Sequence, residues 1–128
     1  MNYLKVPAKV DELCAILQEK QKTVGAFREQ YELNFNAHLN LVTIHPWVDG
    51  DGRTARLLMN YIQFCYHLFP TKIFKEDREE YILSLRQCQD EETNQPFLSF
   101  MAGQLKKSLS LEIERFKASQ KKVFSFMF

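Results

Sequence analysis

The sequence contains little cysteine, proline or glycine, and the pattern of its cysteines restricts where the protein works. Its 128 residues include three cysteines, four prolines and four glycines. Cys14, Cys65 and Cys88 are odd in number, lie far apart and form no CxxC pair. Cysteines in this pattern are typical of a reducing compartment, where a lone cysteine packs as a small core residue. We therefore expect a cytoplasmic protein.

An excess of one charge and long apolar runs are also missing. The formal net charge is +1, which gives no bulk electrostatic reason to expect nucleic acid or a membrane surface as a partner. No apolar run has the length that spans a bilayer, and the first residues lack the basic-then-apolar pattern of a signal peptide. We expect no nucleic-acid partner and no membrane partner.

The residues that are present suit one compact domain with a substantial core. Hydrophobic residues make up 45% of the chain, with eleven phenylalanines and five tyrosines, so disorder is not expected. The sequence contains no internal repeat, low-complexity tract or Gly/Ser-rich linker. We predict a single domain over residues 1–128.

Apolar residues at steps of three and four predict an all-α fold, because no stretch shows a strong strand pattern. The first helix begins at Pro7, which fits the first helical position, and the second ends near Ile44, just before Pro46. Further helices are predicted from Arg53 to about Phe69, from about Glu76 to Asp90, and from about Pro96 onwards.

The third of these helices is predicted to lie in the middle of the bundle. It carries one apolar stripe through Met59 and Cys65 and a second through Leu57, Tyr61, Phe64 and Leu68. A helix that is apolar on most sides is usually buried, so its start should be at least partly buried too. In the neighbouring helices we expect His38 as a hydrogen-bonded core histidine, and Tyr81, Ile82 and Leu85 facing inward.

The loop HPWVDGDGRTAR, from His45 to Arg56, joins two of these helices and has the composition of a phosphate site. The turn Gly50-Asp51-Gly52 runs into a helix start, where converging N–H groups and the partial positive charge form an anion cradle. Arg53 and Arg56 lie three apart and project from the same side of the first helical turns. Guanidinium groups bind phosphate oxygens in pairs.

Two further side chains of the loop suit catalysis. Asp49 offers a hard oxygen ligand beside the cradle, and Mg²⁺ is typically held by one or two carboxylates together with substrate phosphates. The imidazole of His45 can take a proton from an attacking hydroxyl. A calcium loop was the main alternative, but both registers of the EF-hand pattern place an unsuitable residue, Thr54 or Trp47, at an essential position.

As an ordered string, HPWVDGDGR followed by Arg56 resembles the Fic signature HPFx(D/E)GNGRxxR, with departures at Trp47 and Asp51. The flanks AHLNLVTIHPW and TARLLMNYIQ, and the later segments KEDREEYILSL and QPFLSFM, are also similar to that family. The resemblance covers most of the chain from Val6 to about Met101. It divides the domain into a core of about 6–101 and a C-terminal helical extension of about 102–128.

The resemblance implies an all-α, Fic-like helical bundle with the signature loop between two central buried helices. The implied reaction transfers AMP from ATP to a Ser, Thr or Tyr hydroxyl of a protein target, with His45 as general base. Asp49 would hold Mg²⁺ between the α- and β-phosphates. Phosphates would be bound by Gly50, Asp51, Gly52, Arg53 and Arg56. The family's distribution suggests a bacterial source.

Departures from the family leave other interpretations open. Asp51 in place of Asn is a tolerated variant, a second Mg²⁺ ligand, a cause of weaker triphosphate binding, or a sign of another phosphate-containing donor. The family's β-hairpin flap, which docks the target, lies upstream, and Met1 to Lys5 are too few residues to form it. The chain is then a piece of a longer protein, or target docking uses something else. The alternative function is a truncated Fic module that binds nucleotide or a protein partner without catalysis.

The C-terminal segment VFSFMF is unusually apolar for a free end. It is packed on the domain, buried in a partner, or the cut edge of a longer protein. A homo-oligomer contact and a missing N-terminal segment are the two candidates for covering the apolar surface.

Overall fold

The computed structural model describes residues 3–44 and 51–127, and these form helices and connecting turns without any strand. The helices are α1 (Val6–Thr23), α2 (Phe27–Ile44), α3 (Asp51–Cys65), α4 (Arg78–Glu91) and α5 (Gln95–Met127). Short 3-10 turns precede α1 at Tyr3–Lys5 and α4 at Lys75–Asp77. The predicted all-α class is confirmed.

The ends of the helices follow local chemistry. Pro7 lies in the first turn of α1, where its missing N–H costs no hydrogen bond, and α2 ends at Ile44 as predicted. The third helix is shorter than predicted, because it ends at Cys65. The backbone of His67 is left-handed, with φ 57°, and the N–H of Leu68 donates to the carbonyl of Gln63 at 2.8 Å. This is the hydrogen-bond pattern that closes a Schellman-type helix end.

The core has two parts, and α2 contributes to both. The larger cluster lies among α2, α3, α4 and α5, and the smaller one joins α1 to α2 and α3. The larger cluster consists of Phe35, Leu39, Met59, Tyr81, Cys88, Phe97 and Met101. The smaller cluster consists of Leu13, Leu41, Ile44 and Ala55. Residues of α3 also occur in both clusters, but α2 is the helix that packs against α1, α3 and α5, so it is the central helix of the bundle.

The prediction that α3 is buried on most sides was wrong. Ala55, Met59 and Ile62 are buried on one face. Three of the four residues of the second predicted stripe are exposed, namely Leu57 at 69%, Tyr61 at 62% and Phe64 at 76%, and only Leu68 is buried. An apolar side chain is often exposed in a folded protein, so hydropathy alone did not distinguish the two stripes. Ile82, predicted to face inward, is also exposed.

The cysteine prediction was correct only in part. Cys88 is buried in the larger core cluster, whereas Cys14 and Cys65 are exposed free thiols. Both exposed thiols sit on helix faces turned away from the core. The expectation that each lone cysteine packs as a core residue therefore fails at two of the three positions.

Polar side chains fix the connection between α3 and α4, which runs in extended form before α4. The fully buried amide of Gln63 accepts the backbone N–H of Thr71 at 3.0 Å and donates to Asn34 Oδ1 at 3.0 Å. At the next residue the connection is bound to α5, since Ser108 Oγ accepts the N–H of Lys72 at 3.2 Å. The connection is thus hydrogen-bonded to side chains of both α3 and α5.

The last part of α5 projects beyond the bundle. Every described side chain from 112 to 127 is exposed, so the tail is not packed on the domain, which was one of its three predicted environments. None of the described helices combines the length and the apolar character needed to cross a membrane.

Candidate anion-binding site

A cavity of about 540 Å³ lies where the start of α3 meets the start of α4 and the connection before it. Gly52 and Arg53, from the first turn of α3, form one wall, and Arg78 opens α4 on another. The complete lining consists of Gly52, Arg53, Arg56, Ile73, Phe74, Lys75, Arg78, Tyr81 and Ile82. Two helix N-termini, each with unpaired N–H groups and a partial positive charge, therefore border the same space.

The cavity is strongly cationic. Four basic residues line it, namely Arg53, Arg56, Lys75 and Arg78, and the described lining contains no carboxylate. A cation at a helix N-terminus is opposed by the helix dipole, so stability alone does not account for basic residues at both helix starts. Their joint field favours an anion, and guanidinium groups suit phosphate oxygens in particular.

Arg56 lies close to two other residues of the cavity lining, Gly52 and Tyr81. Its guanidinium lies over Gly52, where an added Cβ would come within 3.4 Å of Arg56 Nη1. The hydroxyl of Tyr81 lies beside the same position, 4.0 Å from that Cβ. Arg56 is half-buried, whereas Arg53 is exposed at the helix start. The prediction of a partly buried helix start is therefore correct at Arg56 and wrong at Arg53.

Tyr81 connects the cavity wall to the core, because it lines the cavity and belongs to the larger core cluster. The hydroxyl of Tyr81 lies 3.2 Å from His38 Nε2, and the His38 ring stacks on Phe97 with centroids 5.0 Å apart. Burial and the nearby charge of Arg56 lower the pKa of His38 to about 3, so this histidine is neutral near pH 7. The prediction of a hydrogen-bonded core histidine is confirmed.

Burial also acts on Tyr81, whose pKa it raises, while the charge and the hydrogen bond of Arg56 act in the opposite direction. The phenol therefore keeps its proton near neutral pH. A neutral hydroxyl that touches Arg56 can accept from the guanidinium and still donate a hydrogen bond of its own.

The structure brings together three of the residues predicted from the loop, since Gly52, Arg53 and Arg56 all line the cavity. Asp51 provides the first residue of α3. His45, Asp49 and Gly50 lie outside the described residues, so their predicted roles stay predictions.

Sequence reasoning missed Lys75 and Arg78. The signal was present, because the run KEDR places basic residues at the predicted start of a helix. Acidic residues are favoured there and basic ones are not. Basic residues thus lie at the start of α4 as well as at the start of α3, and together they line one cavity.

Comparisons with known proteins show which proteins the chain is similar to. The Fic/DOC family model matches residues 2–63. Protein adenylyltransferase Fic of Drosophila melanogaster is 41% identical over 110 residues, which are 83% of this chain and 22% of that protein. Protein adenylyltransferase Fic of Drosophila mojavensis is 41% identical over 75 residues, which are 59% of this chain and 15% of that protein.

A solved structure, that of Fic-1 from C. elegans, has a similar fold, with a TM-score of 0.78 and 30% sequence identity. The match covers 89% of this chain and 33% of that chain. The chain thus spans about a third or less of each of these relatives. All three come from animals, so they lend no support to the predicted bacterial source.

Proposed function

Since the chain belongs to the Fic/DOC family, we propose that it transfers AMP from ATP to a hydroxyl group of a protein. The observation that carries this proposal is the cavity in which Arg53, Arg56, Lys75 and Arg78 converge from two helix starts. A triphosphate supplies the negative charge that such a cavity needs. The names of the fly relatives support the same reaction.

In the proposed reaction the oxygen of a Ser, Thr or Tyr hydroxyl attacks the α-phosphorus of ATP. A new P–O bond forms, the bond between the α-phosphorus and its bridging oxygen breaks, and pyrophosphate leaves. His45 accepts the proton of the attacking hydroxyl. Arg53 and Arg56 bind the outer phosphates and stabilise the charge that develops on the leaving group.

The cavity adds residues to this scheme. Lys75 and Arg78 face the same space from the opposite wall and are proposed to neutralise phosphate charge from that side. The backbone of Gly52, with no Cβ between it and Arg56, lets a phosphate oxygen approach the start of α3 closely. Together they position the phosphates, which is the main demand of phosphoryl-type transfer.

Mg²⁺ would be held through the phosphates and the signature loop. The described cavity lining is basic and offers the ion no carboxylate. Asp49 would therefore hold it, in the manner of sites that use one carboxylate and several phosphate oxygens. Bound there, Mg²⁺ would withdraw charge from the phosphates that it bridges.

Intact-mass spectrometry of the chain after incubation with Mg²⁺ and ATP tests the proposal. We expect the wild type to gain one AMP on one of its own hydroxyls and His45→Ala to gain none. A parallel titration shows whether His45→Ala still binds ATP, as expected for the loss of a base alone. If the wild type binds ATP but gains no mass, the chain is a nucleotide-binding module or uses another donor, and parallel incubation with UTP separates these two outcomes.

A further inference from the structure

Arg56, Tyr81 and His38 form a continuous polar array that runs from the cavity into the core. Arg56 Nη1 and the Tyr81 hydroxyl lie 3.4 Å and 4.0 Å from the same point, the position of a Cβ added at Gly52, and that hydroxyl lies 3.2 Å from His38 Nε2. The three residues come from α3, α4 and α2 respectively. His38 is fully buried and Tyr81 nearly so, so water does not compete for these contacts.

The hydroxyl of Tyr81 can serve both of its neighbours. A guanidinium has donors and no acceptor, so the tyrosine oxygen is the acceptor in any hydrogen bond with Arg56. The same hydroxyl shares a hydrogen bond with His38 Nε2, whose direction depends on the tautomer of the ring. His38 Nδ1 is buried without a hydrogen-bond partner, so Tyr81 provides the hydrogen bond that orients this ring.

Aromatic packing leaves this array little freedom to move. The ring of Tyr81 meets the His38 ring edge-on, with centroids 5.7 Å apart, and lies 6.0 Å from the ring of Phe100. The His38 ring is stacked on Phe97, which is itself fully buried. Neighbouring rings from α5 therefore fix the hydroxyl of Tyr81 at the base of the cavity.

We propose that Tyr81 is a positioning residue, oriented by His38, that aims the Arg56 guanidinium at the outer phosphates of ATP. This inference rests on the proposed function, because it assigns Arg56 to those phosphates. Arg56 lies in the second turn of α3, and its long side chain has many rotamers. A single acceptor held rigidly behind it selects one of them before ATP arrives, which reduces the entropy lost on binding.

The substitution that isolates this role is Tyr81→Phe, which keeps the ring and removes only the acceptor for Arg56. The matched control is Tyr31→Phe, since the Tyr31 hydroxyl is also partly buried and donates to the carbonyl of Phe69 at 2.9 Å without lining the cavity. Both variants lose one hydrogen bond of the fold. Only Tyr81→Phe releases Arg56.

The measurement is isothermal titration with ATP and with AMP, because AMP lacks the outer phosphates. We expect Tyr81→Phe to lower the ratio of ATP affinity to AMP affinity about tenfold, the effect of one lost hydrogen bond to a charged group. Tyr31→Phe should leave that ratio at the wild-type value. A ratio that Tyr81→Phe does not change, or an equal loss of both affinities, overturns the positioning role.

Arg56→Ala separates this inference from the function on which it rests. Arg56→Ala should lower the affinity ratio, and adding Tyr81→Phe to it should then change nothing more. If Arg56→Ala weakens ATP and Tyr81→Phe does not, the phosphate site stands and the positioning role is wrong. If Arg56→Ala leaves ATP affinity unchanged, Arg56 is not a phosphate ligand, and the proposed use of this site fails together with the inference.

A nitrogen-15 NMR spectrum of His38 gives a readout that a general loss of stability would not produce. The hydrogen bond between the Tyr81 hydroxyl and His38 Nε2 affects the chemical shift of that nitrogen in either tautomer. In Tyr81→Phe the Nε2 resonance should shift as its hydrogen bond is lost, while in Tyr31→Phe it should stay in place. An Nε2 resonance that Tyr81→Phe leaves in place contradicts the hydrogen bond from which the role was inferred.

Discussion

The side-chain oxygen of Gln104 accepts the backbone N–H of Phe74 at 2.9 Å. The nitrogen of the same amide donates to Asp77 Oδ2 at 2.9 Å. Phe74 lines the cationic cavity, whereas Gln104 belongs to α5 on the other side of the connection. One buried amide therefore fixes the distance between this wall of the cavity and the last helix.

Gln104→Leu should destabilise the protein, because it removes the partners of a backbone N–H and a carboxylate while keeping the volume of the side chain. We expect the free energy of unfolding, measured by urea titration, to fall by about 2–3 kcal/mol. Gln120→Leu is the matched control, since Gln120 lies on the exposed part of the same helix. Equal losses in the two variants would show that the Gln104 hydrogen bonds contribute nothing.

The pH dependence of stability should reveal the buried His38. Its pKa is lowered to about 3 by burial first and by Arg56 second, so the unfolded chain binds a proton at higher pH than the folded chain does. Folding is therefore opposed progressively as pH falls from about 6.5 towards 3, by at most about 1.4 kcal/mol per pH unit for this group.

The measurement for His38 is the slope of unfolding free energy against pH, compared between the wild type and His38→Gln. Glutamine can accept the hydrogen bond of Tyr81 and does not titrate. Between pH 6 and pH 4, within the window set by the two pKa values of His38, we expect the variant to show the flatter slope, even if it is less stable throughout. Parallel slopes would mean that His38 is protonated in the folded protein.

The exposed stripe of α3 gives a test of the fold itself. Phe64 is 76% exposed, although the sequence pattern places it on a stripe predicted to be buried, whereas Phe97 is fully buried. Phe64→Ala should change the unfolding free energy by no more than about 0.5 kcal/mol, while Phe97→Ala should cost about 3–5 kcal/mol. A large cost at Phe64 would place that stripe against part of the described bundle.

Local chemistry explains why some features were predictable from the sequence and others were not. Pro7 and the residue before Pro46 mark helix ends through backbone sterics, which depend only on neighbours in the chain. The end of α3 depends on the left-handed conformation of His67. A left-handed backbone cannot be predicted from the identity of a non-glycine residue. The exposure of Phe64 depends on which helices pack against α3, and hydropathy carries no such information.

The candidate site also has residues that were predictable from the sequence and residues that were not. Arg53 and Arg56 were predicted because they follow the glycines of an ordered motif. Lys75 and Arg78 reach the same cavity only because the connection before α4 is anchored to α5 and folds back towards α3. That proximity is tertiary, so the sequence offered only the misplaced charge at a helix start as a sign of it.

The most direct test of AMP transfer is to incubate the chain and Mg²⁺ with ATP radiolabelled at either the α- or the γ-phosphate. Transfer of AMP breaks the bond beyond the α-phosphorus, so the protein should retain the α-label and none of the γ-label. The signal should disappear in His45→Ala. Retention of the γ-label would contradict the account and indicate phosphorylation. Absence of both labels, with ATP bound, would show that this cavity holds the nucleotide without catalysing its transfer.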